Sequence, residues 1–152
     1  MMPVEHRLRF PAAVLCAGPV GVFFAYGLEI EGNVEAGLAR LRATDAGGRP
    51  MIFSVLVDLN GLPHLRRICT MPNGAGILPV SGGTSVSGCD ENGILMMKVQ
   101  ETLEIERDSL GVLVLAPGPE IPWSLGVPPG QVGEFLSLLE ECVAGAALVA
   151  VA

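Results

Sequence analysis

Residues 94–117, ILMMKVQETLEIERDSLGVLVLAP, carry the pattern that decides the class of fold. From Met97 onward apolar and polar side chains alternate. Met97, Val99, Leu103 and Ile105 fall on one side, Lys98, Gln100, Thr102, Glu104 and Glu106 on the other. A period of two belongs to a half-buried strand, because successive side chains of a strand point to opposite faces. Arg107, Asp108 and Ser109 make a turn, and Gly111 to Leu115 reads as a return strand buried on both faces. The hairpin is expected at the centre of a sheet. Glu101 is the one charge on its apolar side, and since an unpaired buried carboxylate is costly, a structural ion pair is expected there.

Downstream, the proline-bound turn Ala116 to Pro122 leads to a short strand at Trp123 to Val127. Pro128-Pro129 then introduces a helix, since a first turn does not need the amide that proline lacks. In Gly130 to Ala144, Val132, Phe135, Leu136, Leu139 and Val143 recur at three and four, which makes the helix amphipathic and packs it on the sheet. The uncharged tail 145–152 (GAALVAVA) is too short to span a membrane. It is expected to lie on the core or on a neighbouring subunit, with Leu148, Val149 and Val151 as interface candidates. Trp123 is a candidate interface anchor, because large rigid aromatics dominate binding hot spots; a core position fits it equally well.

Upstream, residues 1–19 read as an N-terminal arm. Val20 to Glu31 alternates as a strand, with glycines that suggest a bulge. Asn33 is placed to cap a short helix through Thr44, with Val34, Leu38 and Leu41 as its apolar stripe. Met51 to Leu59 is rich in β-formers, and Asn60-Gly61 suits a type I′ hairpin turn into a partner strand at Leu62 to Cys69. Thr70 to Gly93 is the least regular stretch, and long irregular connections are often functional. Together these elements predict a single α+β domain over 1–152, with an antiparallel or mixed sheet and two helices.

Composition excludes several functions. Nine basic against sixteen acidic residues give a net charge of −7, the wrong sign for releasing phosphate counterions, so no nucleic acid is expected as a partner. The apolar run Pro11 to Gly27 follows three basic or titratable residues as a leader peptide would, but Pro11 and Pro19 interrupt it and it falls short of the roughly 20 residues of a spanning helix. It is read as structure, with no membrane insertion. Only 16% of the residues are charged and half are hydrophobic, with a mean hydropathy of +0.53. Such a chain is expected to carry apolar surface to an interface.

Catalytic chemistry is hard to assemble. Ser81 to Gly88 (SGGTSVSG) has the glycines of a phosphate loop without its lysine, and Gly83 to Ser87 misses the last glycine of a nucleophile elbow. Cys16, Cys69, Cys89 and Cys142 lack the paired spacing of a zinc site, and no metal or cofactor is expected. Asp90 and Glu91 beside Cys89 would raise its thiol pKa and disfavour the nucleophilic thiolate. The chain is therefore expected to be a non-enzymatic interaction or assembly protein. It would act as a structural component of a homo-oligomer or larger particle, virion-like or shell-like by analogy, in the cytoplasm or assembled there, with itself or other protein subunits as partners. The rival expectation is a small enzyme or ligand-binding domain. Its pocket would lie under residues 70–93, with Ser85, Ser87, Cys89, Asp90 and His64 around it.

Overall fold

A computed structural model of the chain describes residues 4–18, 21–33, 37–80, 85–90 and 92–151, with the side chains of 4–15, 21–24, 33 and 142–151 left aside. The strands are β1 (Val4–Gly18), β2 (Gly21–Asn33), β3 (Leu38–Thr44), β4 (Pro50–Asp58), β5 (Ala75–Pro79), β6 (Ser85–Cys89), β7 (Leu95–Val99), β8 (Thr102–Arg107), β9 (Leu113–Ala116) and β10 (Ser124–Val127). The helices are α1 (Leu62–Thr70) and α2 (Val132–Val151). Eight strands form one sheet in the order β4-β3-β2-β1-β10-β9-β8-β5, and β6 and β7 form a separate two-stranded flap. Each described strand pair is antiparallel. The fold is α+β, with the C-terminal helix lying on the sheet against β1 and β2.

The core follows from register. Leu28 opposes Ala43, and Ile30, Leu41 and Val55 form a row across β2, β3 and β4. Ile105, Leu115, Leu125 and Cys16 form a second row across β8, β9, β10 and β1. All are buried. Although three strands separate β4 from β10 in the sheet order, the two touch, so the sheet bends back on itself. The Phe53 and Trp123 rings meet edge to face across this bend, 6.4 Å apart. α1 contributes Leu62, Leu65, Ile68 and Cys69, and α2 contributes Val132, Phe135, Leu136 and Leu139. Burial of a side chain such as Phe135 stabilises by roughly 1.5–3 kcal/mol. An Arg66–Glu140 ion pair joins the exposed sides of the two helices.

Several expectations are corrected. The partner strand expected at Leu62 to Cys69 is helix α1. Asp58 accepts a hydrogen bond from the Asn60 amide (3.0 Å), closing a tight turn at Leu59–Gly61, and Pro63 falls in the first helical turn. Where a helix is expected from Asn33 to Thr44, the described residues are the end of β2 at Asn33, Gly37 and strand β3; Gly37 has φ +68°, which belongs to a turn and not to a helix interior. Val34 lies outside the described residues. The stretch 70–93 contains two strands, β5 and β6. Residues 4–18, read as an arm, form β1, which pairs with β2 at residues 4–9 and 14–18 and with β10 at residues 15–17. The bulge expected from the glycines of β2 is instead on β1, where the register shifts between Arg9 and Val14 while β2 advances only from Gly27 to Ala25; Tyr26, expected on the face of Leu28 and Ile30, is exposed. The tail continues α2 through Val151.

The alternating run from Met97 to Glu106 is divided between two strands, β7 and β8. The chain leaves the flap at Gln100 and Glu101 and enters the large sheet at Thr102. Leu103 and Ile105 are buried, while Met97 and Val99, on the same parity, are exposed. Gln100 is fully buried and Glu101 is exposed. The β8–β9 hairpin is present, and the centre of the sheet belongs to β1 and its neighbours.

Candidate functional site

Four strands have an outer side without a strand partner among the described residues: β4 and β5 at the ends of the large sheet, and β6 and β7 on the flap, where the outward groups of β6 are taken up by Ser54 Oγ and Arg40. Unpaired edges invite association, and proteins block them in recognisable ways. On β4 the blocking is by side chains. Ile52 O accepts from the Ser87 hydroxyl, Ser54 O accepts from the Trp123 indole N–H (3.0 Å), and the Gln100 side-chain amide accepts from Leu56 N and donates to Leu56 O, both at 2.8 Å. These groups belong to residues 52, 54 and 56, every second residue, as the outward groups of one strand edge should.

On β5, Val80 N donates to Glu101 O and Arg107 N donates to Gly74 O. The alternation therefore turns the main chain of Ala75, Ile77 and Pro79 outward. Pro79 has no N–H to offer, and proline is a common device for blunting an edge.

The flap is seated firmly. Ser87 N donates to Ser54 Oγ (2.9 Å), and Arg40 Nη1 donates to Ser85 O (2.9 Å). Burial, and Arg42 nearby, hold the Arg40 guanidinium below its ordinary pKa, with Glu31 opposing. Val86 and Gly88 face the core, and a Cβ on Gly88 would stand 2.3 Å from Trp123 Cδ2. The other side of the flap is different. Leu95, Met97 and Val99 are 62%, 67% and 54% exposed, and Ile94 beside them 63%. On β7 only Lys98 is charged, and it is the only lysine of the chain.

Each residue expected around a pocket has a structural place among the described residues. Ser85 and Ser87 are half-buried and tie the flap to β3 and β4. Cys89 is buried, and burial together with Asp90 pushes its thiol pKa up. Asp90 Oδ1 accepts from Asn92 N (2.8 Å) and Ile94 N (2.9 Å), so it closes the β6–β7 turn. His64 is on α1, where its Nε2 would lie 3.6 Å from a Cβ on Gly76 of β5. That is a different part of the fold from the flap. Trp123 is a core residue, 1% exposed. The side chains of Leu148, Val149 and Val151 lie outside the described residues.

Open depressions of about 490, 330 and 310 Å³ lie on the surface, and none is lined by Ser85, Ser87, Cys89, Asp90 or His64. The largest sits on β5, β8 and β9 with Glu104 and Glu106 on its wall. The second is lined by Arg107, whose Nε donates to Gly111 O (2.8 Å) and Nη1 to Cys69 O (2.6 Å). This guanidinium supplies a donor to a carbonyl at the end of α1, where carbonyls lack helical partners. Among the described residues there is no group of three or more metal-ligating side chains. No helix among the described residues is long and apolar enough to cross a membrane.

The missed feature was visible as the apolar residues of β7, whose parity pointed to the core until the break at Gln100 was known. No protein-family model matches the chain, no curated protein is similar to it, and no solved structure matches it.

Proposed function

We propose that the chain is a non-enzymatic assembly protein whose contact surface is the outer side of the β6–β7 flap. The observation that carries this reading is the difference between edges. β4 is capped by three side chains and β5 is blunted by Pro79, whereas β7 presents Leu95, Met97 and Val99 beside an uncapped edge among the described residues. Partners in this reading are protein subunits, copies of the chain among them, and the negative net charge argues against nucleic acid. Cys16, Cys69 and Cys89 are free thiols, which supports assembly in a reducing compartment such as the cytoplasm. A shell or virion-like particle is one form such an assembly would take.

Light scattering over a range of concentrations tests the reading. The wild-type mass is expected to exceed 15.8 kDa and to return toward it in a Leu95→Thr/Val99→Thr double variant, which keeps β-propensity while removing apolar surface. A wild-type mass that stays at 15.8 kDa throughout would remove self-assembly from the account.

A further inference from the structure

We infer that the occupant of the β7 edge is the β7 edge of a second copy, paired antiparallel about a two-fold axis through Met97. The inference rests on the assembly reading above and names its partner and register. Three features of the strand lead to it.

The first is the direction of the main chain. Asp90 N donates to Ile94 O (2.9 Å), which makes Asp90 and Ile94 a hydrogen-bonded pair. Bonded and non-bonded pairs alternate in an antiparallel ladder, so Met96 and Lys98 turn their amides toward β6. Leu95, Met97 and Val99 turn theirs outward. Any residue-centred two-fold pairing of β7 with itself matches outward groups to outward groups.

The second is charge, which selects among the registers. An axis at Lys98 sets two ammonium groups directly opposite each other, which is destabilising, and sets Leu95 opposite Glu101. An axis at Met96 shortens the overlap of β7 with its copy to Leu95–Met97. The axis at Met97 uses all five residues of β7. It pairs Leu95 with Val99 of the second copy, Met97 with its own counterpart, and Lys98 with Met96, so that no like charges meet.

The third is the pattern Leu-x-Met-x-Val, which is apolar on both sides of Met97 at equal spacing. Two-fold pairing makes the apolar stripes of the two flaps continuous. That self-match favours a second copy over an unlike chain, since a two-fold interface uses the same patch twice. The mode is strand addition, in which main-chain bonds hold the edge and alternate side chains give specificity.

Cysteine cross-linking reads the register directly. At a hydrogen-bonded pair the Cα atoms lie about 5.5 Å apart, inside the disulfide range of roughly 4.4–6.8 Å. Met97→Cys is therefore expected to give a reducible covalent dimer on mild oxidation. Leu95→Cys alone is expected to give none, because its two copies stand about 13 Å apart at ~3.3 Å per residue; mixing it with Val99→Cys is expected to restore the cross-link. Met97→Pro removes an outward N–H without touching the β6 ladder, so the mass should fall to 15.8 kDa with the circular dichroism spectrum unchanged.

An oligomer that forms no Met97→Cys cross-link, or one in which Leu95→Cys links to itself, would overturn the inference and leave the assembly reading standing. A wild-type monomer at every concentration would overturn both. Should Met97→Pro fail to fold, the cross-linking pattern alone decides.

Discussion

Gln100 shows how much one side chain does in this fold. Its amide presents one donor and one acceptor at the spacing of a peptide group, and it fills the place that a neighbouring strand would take against Leu56. Gln100→Leu would leave the buried Leu56 N–H and C=O without partners, at roughly 1–3 kcal/mol for each group. Urea denaturation should show a loss of at least about 2 kcal/mol, and a change below about 0.5 kcal/mol would mean that the amide is not what closes the β4 edge. Cys16 gives a pH prediction. Burial raises its thiol from the ordinary 9.0 to about 11. Below pH 9 the thiol is protonated in both folded and unfolded chains, and stability is complete. As pH rises from 9 toward 11 only the unfolded chain ionises, so stability falls, by on the order of 2–3 kcal/mol at about 1.4 kcal/mol per unit. Cys69 and Cys89 are shifted the same way. Denaturation midpoints should be level below pH 9 and decline above it, and Cys16→Ala should flatten the decline.

At the scale of elements, the flap and α1 are where local pattern and tertiary placement part. The alternation from Met97 to Glu106 is real, yet it serves two sheets, because Gln100 and Glu101 turn the chain out of the flap and into β8. Sequence parity shows which residues share a face, but not whether that face meets a core. α1 was legible from Leu62, Leu65, Ile68 and Cys69, which recur at helical spacing. The Asn60-Gly61 hairpin signal competed with it and lost to the Asp58 cap and to Pro63 in the first helical turn. β10 and the buried stripe of α2 agreed with expectation because their patterns are short, consistent and bounded by proline or glycine. β9, by contrast, buries Leu113 and Leu115 on one face and leaves Val114 and Ala116 half-buried on the other, not buried on both faces as expected. The flap as an element also makes a prediction. Gly88→Ala would push a methyl group into Trp123, and overpacking of this kind costs typically 1–3 kcal/mol. Hydrogen exchange should then accelerate in β6 and β7 while β8, β9 and β10 stay protected; uniform acceleration across the sheet would show that the flap is not a separable unit.

At the scale of the molecule, two properties oppose each other. A net charge of −7 on every copy resists association, and the apolar side of β7 promotes it. Raising salt from about 0.01 M to about 1 M shortens the screening length from roughly 30 Å to 3 Å. The repulsion should fade, so the oligomer is expected to tighten with salt, and light scattering at the two ionic strengths reads the change. Weakening with salt would point instead to an interface held by ion pairs. The sequence by itself determined the α+β class, the antiparallel hairpin at β8 and β9 and the amphipathic start of α2. These depend on residue type and on spacing along the chain, which are local properties. Only the tertiary structure decided which apolar face of the strand pattern is buried, which edge is capped and by what, and that Ser85, Ser87, Cys89 and Asp90 build and seat the flap. Those outcomes turn on residues far apart in sequence, such as Leu56 with Gln100 and Ser54 with Trp123, and no local pattern encodes a meeting across more than forty positions.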